Sequence, residues 1–482
     1  MPGSTLGLEV PAVGEDWSCG SMIWGQQAGN GDWTEVRSPA DGSMVQRVRL
    51  LGGEELRTLV QSPGPLPVIA QDDFWAFTAR LAAALQALAG PLLDSLALET
   101  AFVHADCEEM FSGSLAYVEG FRDYVRSDGS VPLDTYCQSS RRLRMVDCPW
   151  GTVAIILPQN AFLSVAVTGL LNALWTGNRV ILRAPLQASR SSALLAVAVA
   201  QAQAPQNSVS VILTRAKEFV QSLCGAPEPC LIHYMGSSRH VPQLLSQACE
   251  GGKGFLADAE GNGWVYVDTD ASLETAADVL TQGAVRYNGQ TCTSINGAII
   301  HPSLYMRLRP ILIARWRALT AGDPLTMDAD VGPLFDEGQA EHCVRQIAES
   351  GGSVLVGARR EANLFIPTLV EGPAFDSGLV THGLFGSALW ISPGTRDEFV
   401  SLWGRNQYPL CAGVLSPSAD PGWWLPRLGN LARLTINGDP SVEDVFEPWG
   451  GYARSGANRV GPWHEKYRRS VQVDSPLEVK IS

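Results

Sequence analysis

The sequence predicts an α/β protein of at least two domains, and three observations lead to that class. The chain has 482 residues, which exceeds the roughly 250 to 300 residues that a single hydrophobic core serves. Its composition, 45% hydrophobic and 17% charged, is that of a folded globular protein. From residue 152 onward, short apolar runs rich in β-branched residues alternate with longer helix-like segments, a pattern typical of βαβ units.

The first alternating stretch predicts a parallel, Rossmann-like sheet. Its strand candidates are "TVAIIL", "RVILR", "VSVIL" and "CLIHYM", and the helix candidates between and after them are 162–176, 188–203, 215–224 and 238–249. Before it, 16–50 is typical of β-ribbon and turns, and 73–127 of helix.

The strand candidate "WVYVD" precedes a helix whose end places a cysteine in a turn. Leu273, Ala277, Leu280 and Ala284 recur at helical spacing. We expect Asp270 as the N-cap and a stop near Asn288 and Gly289. Cys292, in "YNGQTCTSINGAII", therefore falls just beyond the helix.

A second α/β stretch follows this turn, with strand candidates "SINGAII", "SVLVG", "ALWIS", "AGVLS" and "RLTIN". The tail "RRSVQVDSPLEVKIS" alternates polar and apolar residues, which favours an edge strand that pairs with another subunit. A frayed terminus is the alternative.

Charge and targeting signals exclude several classes of function. The formal charge of −14 comes without a long Lys/Arg run, so nucleic acid and anionic membranes are not expected partners. No signal peptide or membrane span is recognisable, which predicts a cytoplasmic protein. The ten cysteines are scattered, so reduced thiols are expected. No metal site is expected, and His233, in an apolar run, is expected to be a hydrogen-bonded core residue.

Cys292 alone is weak evidence of catalysis, because free cysteines are usually buried and inert. Its surroundings resemble the aldehyde dehydrogenase superfamily, whose nucleophile sits in a Gly-Gln-x-Cys turn after a helix. Further segments resemble that family in the same order along the chain: "PADGSMVQRV", "CPWGTVAIILPQNAFL", "ALWTGNRVILRAP", "YMGSS", "VGPLF", "FIPTLV", "LFGSALWI", "YPLCAGVLS", "TINGD" and "PWGGYARSG".

The resemblance implies an aldehyde dehydrogenase-like fold with a Rossmann-like cofactor domain, an α/β catalytic domain and a small β oligomerisation element. The cofactor-binding domain would comprise 1–128 and 148–256, and the catalytic domain 257–438. Segments 129–147 and 470–482 would form the oligomerisation strands of a homodimer or homotetramer.

The resemblance also implies the first chemical steps. Cys292 would attack the carbonyl carbon of an aldehyde to give a thiohemiacetal, which passes hydride to a nicotinamide and becomes a thioacyl enzyme. Asn160 would donate its side-chain amide to the developing oxyanion, with help from the backbone N–H of Cys292. On its local sequence, Asn160 is equally explained as a residue that caps a turn.

The general base departs from the family pattern. A count of 34 positions back from Cys292 reaches Asp258 where the family has a glutamate, and Glu260 requires a shift of two residues. Aspartate is one methylene shorter, so Asp258 or Glu260 would be the base, or hydrolysis would be slow. Two alternatives stay open: a dehydrogenase or thioester reductase that uses coenzyme A, and an inactive binding protein of this fold.

Cofactor residues are carried over with further departures. Pro158, Gly236, Ser237 and Phe385 match the family, and Arg183 stands where it has a ribose-binding lysine. Where the family has sugar-binding glutamates, this chain has Leu186 and Gly383. NAD and NADP both remain possible, and low cofactor affinity is expected because carboxylate hydrogen bonds are lost.

One acidic loop bears on the substrate. "DPSVEDVFE" carries Asp439, Glu443, Asp444 and Glu447 around Phe446, and the resemblance places it at the mouth of the substrate channel. Carboxylates there would favour an amino-aldehyde over an acidic semialdehyde. Simple exposure to solvent is the alternative.

Overall fold

A nine-stranded sheet with a parallel centre forms the first half of the fold. The computed structural model describes residues 10–61, 63–127, 136–138 and 141–476, so parts of the expected segments 1–128, 129–147 and 470–482 lie outside it. Five neighbouring parallel strands carry the βαβ units. The strand order is Trp449–Gly451, Gly456–Gly461, Gly254–Asp258, Cys230–Met235, Thr152–Ile156, Arg179–Arg183, Val209–Ile212, Ser21–Ile23 and Gln26–Ala28.

The helices of the βαβ units lie close to their expected positions. Short 3₁₀ turns, Leu186–Ala188 and Ser238–His240, precede two of them and account for their later starts. The observed helices are Phe162–Trp175, Ser189–Gln201, Ala216–Gly225 and Val241–Glu250. Because the central strands are buried on both faces, they read as unbroken apolar runs.

A seven-stranded sheet forms the second half. Every neighbouring pair in it is parallel except the first. Its strand order is Ser353–Val356, Thr368–Glu371, Ala388–Pro393, Ile295–Ile300, Gly263–Val267, Cys411–Leu415 and Arg433–Ile436. The expected α/β class with several sheets is thereby confirmed.

The N-terminal region supplies a small sheet and a helical layer, as the sequence predicts for 16–50 and 73–127. The sheet contains Asp16–Trp17, Met44–Arg49 and Trp33–Arg37, and the helices are Gly53–Gln61, Gln71–Ala87, Ala89–Thr100 and His104–Ser127. The other described helices of four or more residues are Leu273–Val285, Pro302–Ala318, Glu337–Glu349, Gly378–Thr381, Arg396–Trp403, Pro421–Trp424 and Trp463–Lys466, and a two-stranded ribbon joins Arg360–Glu361 to Leu364–Phe365.

The tail forms a strand within its own chain. Arg468–Pro476 runs antiparallel to Arg141–Pro149 over nine residue pairs, and Tyr136–Gln138 lies on the other side of Arg141–Pro149. The two segments expected to oligomerise therefore meet each other, and the tail strand is at the edge of this sheet. Its pairing with a second subunit stays a prediction, and residues 477–482 lie outside the description.

The N-cap of helix Leu273–Val285 is Ser272, so the expectation for Asp270 is wrong. The Ser272 hydroxyl accepts the N–H of Thr275 at 3.3 Å. Asp270 instead accepts the N–H of Ser418 at 3.1 Å. Aspartate and serine are both favoured at an N-cap. The carboxylate of Asp270 is taken up by its contact with Ser418, which leaves Ser272 as the cap.

The described residues offer one bent helix pair as a candidate membrane span and no candidate metal site. In the described ranges no single helix is long and apolar enough to cross a bilayer, although the bent pair Gln71–Ala87 and Ala89–Thr100 meets that test of length and composition. The same residues contain no group of three or more His, Cys, Asp or Glu placed to hold a metal. The nine cysteines whose side chains the structure describes are free thiols.

Candidate active site

The turn that carries Cys292 is held by its neighbours. After the helix ends at Val285, Tyr287 and Asn288 adopt left-handed backbone conformations. The Asn288 side chain donates to the carbonyls of Ala101 and Pro333 at 2.9 and 3.0 Å and accepts the N–H of Gly332 at 2.8 Å. The path of the turn is therefore fixed by a fully bonded amide.

Two glycines let other loops approach this turn. Gly289 has a φ of +67°, and a Cβ there would lie 2.4 Å from the carbonyl carbon of Gly386. A Cβ on Gly261 would lie 1.9 Å from the carbonyl oxygen of Cys292. Both positions require glycine because backbone fills the space. The cysteine is thus packed against the loop that follows Asp258.

Cys292 and Asn160 line one cavity of about 180 Å³. Asn160 lies in the turn between strand Thr152–Ile156 and helix Phe162–Trp175. Polar, aromatic and acidic side chains complete the wall, whose lining among the described residues includes no Lys, Arg or His. The lining includes Glu109, Tyr117, Ser164, Tyr287, Thr293, Ser441, Glu443, Asp444, Trp449 and Trp463.

The thiol of Cys292 is not pre-ionised. Burial raises its pKa well above the usual value, and the negative charge of Glu443 raises it further. Cys411 and Asp258 add smaller effects of the same sign. The thiol therefore requires a proton acceptor or a nearby positive charge before it can act as a nucleophile.

Asp258 has its carboxylate engaged on the side of the nine-stranded sheet. Its Oδ2 lies 2.7 Å from Nε2 of His233, and Nδ2 of Asn458 lies 3.1 Å from both carboxylate oxygens. Burial acts to raise the pKa of Asp258, but the hydrogen bond and charge of His233, with Lys466 and Asn458, outweigh it and hold the pKa below its ordinary value. A carboxylate with lowered pKa is a weaker base.

His233 is a hydrogen-bonded core residue, as expected. Its side chain is fully buried, and Nδ1 lies 2.8 Å from the hydroxyl of Tyr467. The indole of Trp463 packs beside the imidazole with ring centroids 4.7 Å apart. The sequence gives no signal for this cluster, because Asp258 and Asn458 are brought together by pairing between distant strands and Tyr467 follows the separate helix Trp463–Lys466.

Glu260 lies at the other candidate site, the Gly-Ser turn. Its Oε2 accepts the backbone N–H of Ser238 at 2.6 Å, where a 3₁₀ turn leads into helix Val241–Glu250. Gly236 has a φ of +154°, and a Cβ there would meet the hydroxyl of Tyr234 at 2.8 Å. The carboxylate of Glu260 thus occupies a position suited to an anion.

The other residues with expected cofactor roles surround the carboxyl ends of the parallel strands. Arg183 is the last residue of its strand, and its Nε donates to the carbonyl of Thr214 at 2.9 Å. Pro158 follows strand Thr152–Ile156. Phe385 precedes strand Ala388–Pro393 of the seven-stranded sheet, and its carbonyl accepts from Nε2 of Gln339 at 3.0 Å. Ligands of open α/β sheets bind at such strand ends.

Gly383, which stands where the family has a glutamate, has no room for a side chain. It has a φ of +72°, and a Cβ there would lie 2.7 Å from Oδ1 of Asn262. Asn262 is buried, donates to the carbonyl of Val380 at 2.8 Å and accepts from the indole of Trp264. The Asn262 side chain therefore fills the space where a side chain at 383 would begin.

The acidic loop places two of its four carboxylates on the cavity. Glu443 and Asp444 line the cavity, whereas Asp439 bonds Ser441 and Glu447 pairs with Arg433 at 3.1 Å. The sequence identified Glu443 as an acid at the channel mouth and missed its proximity to Cys292. The resemblance of the loop was the one available signal.

Comparison with known proteins decides the family. A model described as "Aldehyde dehydrogenase family" matches residues 26–473. The chain belongs to the aldehyde dehydrogenase family. It is therefore an oxidoreductase that acts on aldehydes, and its cofactor is NAD or NADP.

Three individual aldehyde dehydrogenases illustrate the distance to known members. The sulfoacetaldehyde dehydrogenase of Neptuniibacter caesariensis is 26% identical over 69% of this chain and 73% of its own. Aminoaldehyde dehydrogenase 1 of Pisum sativum is 25% identical over 76% and 73%. An NAD⁺ complex of an aldehyde dehydrogenase from Bacillus cereus superposes with a TM-score of 0.87 at 19% identity, covering 96% and 97%.

The cofactor fits this aldehyde dehydrogenase with one obstacle. The bond between Glu260 and the N–H of Ser238 shows that the Gly-Ser turn accepts an anionic oxygen, which is what a pyrophosphate presents. The same bond must be given up when a pyrophosphate binds. The residues present suit a nicotinamide dinucleotide, and Glu260 competes for one of its contacts.

Proposed function

We propose that the chain oxidises an aldehyde to the carboxylic acid with NAD or NADP, through covalent intermediates on Cys292. The observation that carries the proposal is the shared cavity of Cys292 and Asn160. A thiol and an amide donor that face the same small space are what carbonyl addition requires. Tyr117, Tyr287, Trp449 and Trp463 form the aromatic part of the wall around this space.

In the first step the Cys292 thiol gives its proton to solvent water, and the thiolate adds to the aldehyde carbon. The amide of Asn160 donates to the carbonyl oxygen as negative charge develops there, and the backbone N–H of Cys292 is the second donor. A single donor of this kind is worth about 2.7–4 kcal/mol in acyl-transfer enzymes. The rigid turn around Asn288 keeps the sulfur in place during addition.

The cofactor would be held by residues at the strand ends. Gly236, Ser237 and the N–H of Ser238 suit the pyrophosphate, Arg183 an adenosine ribose or its phosphate, and Pro158 and Phe385 the remaining walls. When bound, the nicotinamide accepts the hydride that leaves the thiohemiacetal carbon. Arg183 is compatible with a 2′-phosphate, so an assay with each of the two dinucleotides decides between NAD and NADP.

The substrate class follows from charge at the cavity. The relatives named for sulfoacetaldehyde and for aminoaldehydes are almost equally similar to this chain, so identity does not select a substrate. Glu109, Glu443 and Asp444 line the cavity, and its described lining has no basic side chain. An aldehyde with a carboxylate or sulfonate would be buried there without a partner. A neutral or cationic aldehyde suits the site better.

Release by coenzyme A is a second candidate. It is favoured by one observation: the carboxylates of Asp258 and Glu260 already have hydrogen-bond partners. A thiol would then replace water as the acceptor of the acyl group. This candidate predicts an acyl thioester as the product.

The test follows reduced nicotinamide with purified protein and several aldehydes, with and without coenzyme A. Cys292→Ala should abolish the signal and keep the circular dichroism spectrum, because it removes a single sulfur atom. Cys249→Ala, at an exposed thiol, is the matched control and should retain full activity. Activity of Cys292→Ala near the wild-type rate would refute the proposal.

A further inference from the structure

We propose that Glu443 is the general base that activates water for hydrolysis of the thioacyl enzyme. The inference rests on the proposed function, because it presupposes an acyl group on Cys292. It assigns the role to a residue of the acidic loop rather than to Asp258 or Glu260. Its basis is the position of Glu443 on the cavity, the rigidity of its loop, and the partners of the other two carboxylates.

Glu443 faces the reacting thiol. It lines the cavity together with Cys292 and Asn160, and the hydroxyl of Thr293, the residue after the cysteine, hydrogen-bonds its carboxyl group. Its charge raises the pKa of the Cys292 thiol more than that of Asp258 does, and Asp258 is not among the lining residues of the cavity. A water between Glu443 and Cys292 would therefore meet a base on one side and the acyl carbon on the other.

The loop around Glu443 is rigid enough to aim a side chain. Phe446 stacks between the rings of Tyr117 and Tyr124, each with centroids 5.2 Å away. A Cβ on Gly120 would lie 2.5 Å from this phenyl ring, so the helix beneath has glycine where Phe446 packs. An anchor three residues from Glu443 restricts the positions its carboxylate can take.

Hydrogen bonds within the loop add to this anchor. Asp439 accepts the N–H and hydroxyl of Ser441, both at 2.7 Å. Asp444 accepts the N–H of Phe446 at 2.8 Å, and Glu447 accepts the N–H of Asp444 at 3.1 Å. The neighbouring carboxylates thus hold the loop, whereas Glu443 faces the cavity.

The two carboxylates expected from the sequence are engaged elsewhere. His233 and Asn458 occupy both oxygens of Asp258, and the Ser238 amide holds Glu260. To accept a proton from water, either would have to give up a charge-assisted hydrogen bond. Glu443 would give up a hydrogen bond from the Thr293 hydroxyl rather than one from a histidine or a backbone amide.

The ionisation of Glu443 suits a base that works near neutral pH. Burial and the charge of Glu447 together raise its pKa to about 8, against the lowering effects of Arg433, Thr293 and Arg286. Glu109, Asp444 and the Cys292 thiol also face it across the cavity. The carboxylate form, which is the base, therefore accumulates as pH rises through about 8.

The step balances with water as the sole co-reactant. Glu443 takes a proton from water while the water oxygen bonds to the thioacyl carbon, and the carbonyl electron pair moves to the oxygen beside Asn160. When the carbonyl re-forms, the carbon–sulfur bond breaks and its electron pair leaves as the Cys292 thiolate. The products are the carboxylic acid and protonated Glu443, which returns its proton to solvent.

The experiment loads Cys292 directly with p-nitrophenyl acetate, so deacylation is read without aldehyde or cofactor. Acid-quenched samples of the full-length protein are weighed by intact mass spectrometry to follow the acetyl group. Glu443→Gln should acetylate at least as fast as wild type, because loss of its charge lowers the pKa of the Cys292 thiol, and should deacetylate about 10²-fold or more slowly, the usual share of a general base. A failure of the proposed dehydrogenase would appear separately, as no reduced nicotinamide with any aldehyde.

A pH series supplies a readout that a merely structural role would not move. Wild-type deacetylation should rise with a midpoint near pH 8, whereas Glu443→Gln should lose that rise. The control Glu447→Gln removes a charge from the same loop and frees Arg433. It should keep rapid deacetylation and move the midpoint to lower pH, because both changes favour ionised Glu443.

Two results would overturn the assignment. One is Glu443→Gln that deacetylates as fast as wild type. The other is an Asp258→Asn variant that folds and is acetylated normally but then accumulates acetyl enzyme. That is the behaviour expected of Glu443→Gln. Coenzyme A that clears the acetyl group while water does not, in wild type, would also count against Glu443 as a base for hydrolysis.

Discussion

Nε2 of His233 lies 2.7 Å from Oδ2 of Asp258, in a pair whose histidine is fully buried and whose aspartate side chain is 13% exposed. The two residues come from neighbouring parallel strands, Cys230–Met235 and Gly254–Asp258. Asn458, on an antiparallel strand, completes the set of partners. These hydrogen bonds hold the Asp258 carboxylate against the sheet, so we expect its first contribution to be to stability.

Asp258→Asn should lower the free energy of unfolding by about 3 kcal/mol, because loss of one partner from a buried pair leaves the other without compensation. The pKa of Asp258 is lowered in the fold. Its contribution is therefore present above the unfolded pKa of about 3.9 and is lost as pH falls through the folded value.

Denaturant unfolding at pH 7 and in acid measures both effects. Glu465→Gln breaks the exposed pair with Arg459 and should cost under about 1 kcal/mol. Equal losses for Asp258→Asn and Glu465→Gln would mean that the buried pair contributes no more than a surface pair.

Asn160→Ala should lower kcat about 10²- to 10³-fold with little change in KM, because the lost donor acts on charge that develops in the transition state. Steady-state kinetics decide it. Ser164→Ala, in the first turn of helix Phe162–Trp175 and on the same cavity wall, removes a hydroxyl and should change kcat little. A pure KM effect at Asn160 would point to ground-state binding instead.

Local patterns predicted the elements, because each strand and helix is encoded by its own residues. Apolar runs at 152–157 and 179–183 become buried parallel strands, and the spacing of Leu273, Ala277 and Leu280 becomes a helix. The cysteine turn was also predictable, since Asn288 and Gly289, the expected stop of the helical pattern, adopt left-handed backbone conformations. These features depend on contacts near in sequence or on repeated patterns.

The partners of the site carboxylates were not predictable in the same way. Asp258 meets His233, 25 positions away, and Asn458, 200 positions away, through strand pairing. Glu443 approaches the cysteine because Phe446 is held by a distant helix. An ion pair or a loop anchor between such residues has no signature in one sequence. The expectations for Asp258 and Glu260 therefore rested on register alone.

Glu260→Gln should tighten NAD or NADP binding several-fold, because the carboxylate competes with an anionic pyrophosphate for the N–H of Ser238. A hydrogen bond to a charged group is worth about 1.5–3 kcal/mol, of which the amide retains part. Fluorescence titration with each dinucleotide measures the change in Kd. Weaker binding would mean that Glu260 itself holds the cofactor, which is a distinct and opposite result.

Deletion of 470–482 should weaken subunit association, since Arg468–Pro476 is the edge strand of its sheet and its outer side is open to a second copy. Sedimentation velocity at several concentrations measures the oligomer. The deletion also unpairs Arg141–Pro149, so the control Ser470→Pro, which removes one backbone donor, tests a milder change. An unchanged oligomer in both variants would assign the tail a purely intramolecular role.

An amino-aldehyde should give a higher kcat/KM than a semialdehyde of equal chain length. Glu109, Glu443 and Asp444 line the cavity, and no described lining residue is basic, so a carboxylate would lose its hydration without gaining a partner. Glu109 is paired with Arg286, which leaves Asp444 at the mouth as the main attraction for a cation. The preference should therefore be modest, about tenfold or less, and should shrink with added salt because exposed charges are screened.

The preference for the amino-aldehyde should also grow as pH rises toward 8, because the pKa of Glu443 is about 8 and ionisation adds a negative charge to the cavity wall. Asp444→Asn should reduce the preference for the amine while leaving a neutral aldehyde of the same length unaffected. A faster semialdehyde, or a preference indifferent to both salt and pH, would show that these carboxylates do not select the substrate.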